Sequence, residues 1–201
     1  MNLKKLPMSS VSGALVLVLY VGLAKISYLL YPSFFGPRGN WLSDLGSNQL
    51  NPHGAIYYRL AGILGGLVLM FFFIGLKDWY KGQKDKSRIF MTIAQLFGVL
   101  TSLAFAMTGF FSEDNLVPHS FWSVTNYICF GTAAFFVGFA LLYHKDVPRL
   151  FSVFCFILAI VDIVSGVYGK TYWLEWLVVF MLLVFVASVS YITNRHLKQG
   201  R

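Results

Sequence analysis

Ser43, Asp44, His53, Glu113, Asp114 and His119 are the residues whose types could do chemistry together. Two imidazoles and a carboxylate suit a Zn²⁺ ion with one coordination position left for water. His53, His119 and Asp114, or Asp44 in its place, therefore form a candidate metal set. The same groups without a metal offer acid–base chemistry, with His119 as base, Asp44 or Asp114 orienting it, and Ser43 as a nucleophile. Spacing does not choose between these uses, because no HExxH, HxxxH or GxSxG pattern occurs. Plainer uses stand beside them. Asn40 can cap a helical turn over 41–45, Gly46 can end it in the left-handed conformation, and Asp44 can accept its backbone hydrogen bonds. Glu113 and Asp114 read as an acidic cap, a cation ligand or an orienting pair for His119.

A second group, Lys25, Asn126, Asp162 and Glu175, lies within or at the edge of apolar runs and is assigned with Glu113 to ligand binding. An ionisable group inside a membrane span costs on the order of 3 kcal/mol unless it is paired or hydrated. Asp162 and Lys25 fall at comparable depth, so they form either an ion pair holding two helices or the charged wall of a water-filled cavity.

The elements that carry these residues follow from composition. Of 201 residues, 57% are hydrophobic and 12% charged, with a mean hydropathy of +0.67. Soluble domains carry about 25% charged residues, and a helix apolar on all sides is buried in protein or in lipid. Six such runs, at about 11–31, 58–76, 89–111, 121–143, 150–168 and 174–193, predict one all-α, six-helix membrane domain with a polar loop over 32–57. The first run resumes after Gly22-Leu23-Ala24, which predicts an uncleaved anchor. Gly62 and Gly66, four apart in the second run, predict close helix packing. Cys129 and Cys155 fall in apolar runs and are expected as unpaired thiols.

Charge placement gives a topology. Lys4, Lys5, Lys77, Lys81, Lys84, Lys86, Arg88, Lys145, Arg149, Arg195, Lys198 and Arg201 flank one side, and Arg38, Arg59 and Lys170 the other. Twelve against three puts both termini in the cytoplasm and the 32–57 loop outside. The net charge of +8 is thereby explained by topology, and no nucleic-acid-binding motif accompanies it. Membrane lipids are the expected partners, the plasma membrane the expected location.

The words WLSDLGSNQLNPHGAIYYR and GFFSEDNLVPHSFWSV resemble the prokaryotic six-helix membrane family labelled domain of unknown function 998. The matching positions are Ser43, Asp44, Gly46, Asn51, Pro52, Gly109, Asp114 and His119, with Ser112-Glu113 where that family often has a proline turn. The resemblance implies the fold and a membrane location, and no reaction. Three functions then fit the residues: a cavity binding a lipid or partner, a hydrolase or transferase acting on lipid at the outer leaflet, and a small transporter using Lys25 and Asp162. Weak polarity in the inner halves of the runs and the absence of an internal repeat favour the transporter least.

Overall fold

The computed structural model describes residues 6–80, 86–169 and 171–199, with side chains as far as residue 196. Lys4, Lys5, Lys81, Lys84, Lys170 and Arg201, and the side chain of Lys198, lie outside the described residues. Six helices make up the fold: α1 (Met8–Leu29), α2 (Ala55–Gly75), α3 (Lys86–Phe110), α4 (Leu116–Leu141), α5 (Arg149–Tyr168) and α6 (Tyr172–Gln199). There is no strand among the described residues. At about 1.5 Å per residue, helices of 20 to 28 residues are long enough to cross a hydrocarbon core about 30 Å thick. All six are also apolar enough to do so. Their outward sides carry large apolar groups: Val18, Leu96, Phe121, Ile160 and Phe180 are all exposed.

Four helices begin three to five residues before the apolar runs do, and α6 continues past its run to Gln199. Polar side chains at a helix end do not stop the backbone ladder. Pro118 sits in the first turn of α4, where its missing N–H has no intrahelical partner to lose. It lies between the third and fourth apolar runs of the sequence and belongs to a helix in the structure.

Consecutive helices pack side by side from α1 to α5, and α6 lies between α5 and α1 and closes the ring. The large buried side chains, Phe72, Phe73, Phe130, Phe185, Leu69 and Met91, fill the half nearest the termini. The other half, the loop end, has only a small apolar cluster of Phe35, Leu42 and Leu45. Polar groups therefore collect at the loop end.

Small residues set the closest approaches. A Cβ on Gly66 would fall 2.6 Å from the Ser102 carbonyl and 2.7 Å from the Ala106 nitrogen, and one on Gly62 would fall 3.0 Å from Gly109 Cα. The two glycines seat α2 on α3 within the chain itself. The 32–57 loop is held by a 3-10 turn, Leu42–Gly46, and by Asn51. Asn51 Nδ2 donates to Ser27 Oγ (3.0 Å) and to the Leu45 carbonyl (3.0 Å), while its Oδ1 accepts the Gly54 N–H (3.1 Å). One buried amide thus joins the end of α1, the turn and the start of α2.

Two local expectations need correction. Asn40 does not cap the turn: its Oδ1 accepts the Gly36 N–H and its carbonyl accepts the Trp176 indole N–H. Gly46 does not adopt a positive φ. It lies inside the turn, where a Cβ would come 3.2 Å from the Tyr58 ring.

The packing yields a prediction. Gly66→Val forces side-chain atoms into the α3 backbone and should cost about 1–3 kcal/mol or more, read as a lower melting temperature in detergent. Gly22→Ala, with nothing within 4 Å of the new Cβ, should hold or slightly raise it. Equal melting temperatures for the two variants would contradict the α2–α3 seam.

Candidate active and binding cavity at the loop end

Glu175, in the first turn of α6, is the group around which the site is assembled. Its carboxylate accepts the Leu42 N–H (2.7 Å) and the Ser43 N–H (3.3 Å), two backbone donors that open the 3-10 turn. A carboxylate at the N-terminal end of a turn satisfies donors that have no partner within it. The turn is thereby pinned to α6, and Ser43 is carried into the cavity walls.

Asp44 is buried, and its Oδ2 accepts the Trp41 N–H (3.1 Å). Glu113, from the α3–α4 loop, stands beside the Asp44 carboxyl and Ser43, and Ser43 also lies beside Glu175. Glu113 Oε2 is buried without a hydrogen-bond partner. Burial first, then the Asp44 carboxyl and the Glu175 charge, push the Glu113 carboxyl up from 4.5 to about 8, with Ser43 partly offsetting the rise. Two carboxyls side by side disfavour double ionisation, so burial and the Asp44 carboxyl favour the protonated form of Glu113.

His119 enters from the first turn of α4. Its Nδ1 lies 2.7 Å from the Phe111 carbonyl, which can only accept, so Nδ1 carries the proton. Ser43, His119, Ser123, Tyr127 and Glu175 line two adjoining cavities. The outer one, about 290 Å³, also has Trp41, Glu113 and Ser165 in its walls. The deeper one, about 50 Å³, has Tyr20, Tyr58 and Asn126. Below them a void of about 20 Å³ shares Tyr20, Asn126 and Tyr127 and ends at Asp162. Asp162 is fully buried, and neither carboxyl oxygen has a hydrogen-bond partner. Through shared walls the three spaces form a shaft from the loop end into the bundle, with polar groups in its two upper cavities and largely apolar walls around Asp162.

The structure brings Ser43, Glu113, His119, Asn126, Asp162 and Glu175 to this shaft, sets Asp44 behind Glu113 without lining a cavity, and sets the other sequence candidates elsewhere. Asp114 braces two loops, accepting from Ser47 Oγ (2.6 Å), Asn48 N (2.8 Å), Asn48 Nδ2 (3.0 Å) and Ser112 Oγ (3.2 Å). Partial burial acts to raise its carboxyl, yet these donors together hold it below the ordinary value. It lines neither cavity. His53 is exposed in the turn before α2, so the set His53, His119 and Asp114 does not converge on a metal position. Among the described residues that spacing occurs only at the opposite end, among His144, Asp146 and His196. Lys25 does not pair with Asp162. It is exposed, with Nζ 4.8 Å from the Tyr28 ring centroid, and lines an apolar groove between α1 and α6. Asp162 points instead from α5 toward Gly131 of α4. Asn126 lines the shaft but is also a tie between helices, its Oδ1 accepting the Thr101 hydroxyl (2.5 Å).

Sequence reasoning passed over Tyr127 as a wall of the site. The signal was present: His119, Ser123, Asn126 and Tyr127 recur at helical spacing and so share one face of α4.

Compared with known proteins, the chain matches no family model, no curated protein and no solved structure.

The raised Glu113 carboxyl has a measurable consequence. Between about 4.5 and about 8 the folded state binds a proton at Glu113 that the unfolded chain releases. This group therefore lowers stability as pH rises through that window and adds no slope outside it. Glu113→Gln should melt progressively above wild type from about pH 5 to about pH 8. Parallel melting curves for the two proteins would contradict the assignment.

Proposed function

We propose that the protein is a multi-pass plasma-membrane protein with cytoplasmic termini, and that its loop-end shaft opens outward and holds the headgroup of a membrane lipid. The observation that carries this reading is the adjacency of two unlike spaces. The polar shaft and the apolar groove of about 350 Å³ between α1 and α6 share Tyr20 and Val179 as common walls. A polar head in the first and an acyl chain in the second suit an amphipathic ligand. The twelve-to-three placement of basic residues supports the orientation. The quoted loop words support kinship with the family labelled domain of unknown function 998.

The acids argue for an amine-bearing headgroup. Among the described residues, no hydrogen bond to Asp44, Glu113 or Glu175 comes from Lys or Arg. Trp41 and Tyr127 add aromatic faces to the same walls, and such faces attract cations. A second reading rests on a separate observation: Ser43 lies beside two carboxyls while His119 lines the same cavities with its ring held at Nδ1. That arrangement suits acid–base cleavage or transfer on the bound lipid.

Native mass spectrometry of the purified protein with phosphatidylethanolamine, phosphatidylcholine and phosphatidylglycerol tests both readings. One retained phosphatidylethanolamine per chain is expected, with about tenfold or greater loss in Glu175→Gln, in line with removal of a charge-assisted contact. Retention should rise from about pH 6 to about pH 8.5, as Glu113 ionises and faces the ammonium as a carboxylate. Equal retention of all three lipids, unchanged by Glu175→Gln, would overturn the binding site. Time-dependent appearance of a lysolipid or a freed headgroup, lost in His119→Ala, would establish the second reading.

A further inference from the structure

At the end of the bundle that carries the termini, three chain segments converge. His144 and Asp146 lie in the turn between α4 and α5, and His196 lies near the end of α6. The turn is fixed by the His144 N–H to the Leu141 carbonyl (3.0 Å), by the Val147 N–H to the His144 carbonyl (3.2 Å), and by the buried Val147 side chain. α6 reaches this turn only because its helix continues through Asn194 and Arg195, beyond the apolar run.

We propose that His144, Asp146 and His196 form a binding site for a single divalent transition-metal ion of the Zn²⁺ class. One ligand atom from each residue lies within 4.8 Å of the others, and His196 Nδ1 already stands 2.5 Å from Asp146 Oδ2. Donors bound to one ion at about 2.0–2.2 Å are themselves about 3–3.5 Å apart, so side-chain rotation closes the difference. Both imidazoles are oriented from outside the trio. Trp79 lies flat on the His196 ring (4.4 Å between centroids, 11° between planes) and edge-on to His144 (5.0 Å). The indole is itself held by its Nε1–H donating to Thr193 Oγ1 (2.8 Å). Ser87 Oγ, 3.1 Å from His144 Nε2, fixes the other ring. Outer partners of this kind are what tune a ligating imidazole.

Two imidazoles and one carboxylate select Zn²⁺, Co²⁺ or Ni²⁺ over Mg²⁺ and Ca²⁺, which prefer all-oxygen shells. The side chains of His196 and Asp146 are 25% and 35% exposed, so an ion can enter from solvent. Its effect would be structural: it would staple the end of α6 to the α4–α5 turn, on the helix that closes the ring. This site shares no residue with the loop-end shaft and stands or falls separately from it.

The test uses tag-free, full-length protein in detergent, stripped by chelator and titrated with Co²⁺ and then Zn²⁺. One Co²⁺ per chain, with visible d–d absorption displaced by Zn²⁺ and unaffected by Mg²⁺, is expected. His196→Gln and Asp146→Asn, both at accessible positions, should each weaken binding about tenfold or more while leaving the metal-free circular dichroism spectrum unchanged. Absence of binding in wild type overturns the site and leaves His196–Asp146 as a simple hydrogen bond. Equal binding by wild type and both variants also overturns it, since the ion would then sit elsewhere.

Discussion

One carboxylate crosses the bundle to receive two backbone N–H groups, and the loop end takes its shape from that contact. Glu175 belongs to the last helix, and Leu42 and Ser43 belong to the first long loop. The bond is charge-assisted and partly shielded from solvent, the condition in which such bonds are strongest. Because it fixes the 3-10 turn, it also fixes Asp44 against Glu113 and Ser43 against both glutamates. Gathering three acids in one place is costly, and burial beside Asp44 and Glu175 favours the protonated form of Glu113.

α6 is secured at its two ends by chemistry of different kinds. At the loop end the tie is Glu175 and the Trp176 indole on the Asn40 carbonyl. At the other end it is His196 on Asp146, with Trp79 bonded to Thr193. Between them, Phe185 and Val186 pack into the core. The apolar groove on the α1 side and the outer cavity on the α5 side flank this helix. The helix that closes the ring is thus also the wall common to both spaces.

The helical bundle was legible because each run is apolar on all sides, a pattern that only lipid or a core can satisfy. Helix ends were less legible, as Pro118 shows, since a proline in a first turn looks like one in a loop. The unpaired state of Cys129 and Cys155 follows from their burial and agrees with the structure. For the site, counting residues along a span gives depth but not direction. Lys25 and Asp162 share a depth and still face different surroundings. Glu113 and Asp114 are neighbours in sequence with opposite roles, one facing the cavity and the other bracing a loop. No periodicity separates them, because a loop has none. His144 and His196 lie far apart in the chain, and only the ring closure by α6 brings them together.

The central claim is that a polar shaft opens at the loop end, faces outward, and is filled by a lipid headgroup. Ser123 lines both of its upper cavities, so Ser123→Cys, in a background with Cys129 and Cys155 replaced by serine, reports on it directly. The account predicts that a membrane-impermeant thiol reagent applied to intact cells modifies this cysteine. It further predicts that added phosphatidylethanolamine slows the reaction in proteoliposomes of phosphatidylcholine. A cysteine that reacts only from the cytoplasmic side, or that reacts at the same rate with and without the lipid, would contradict it.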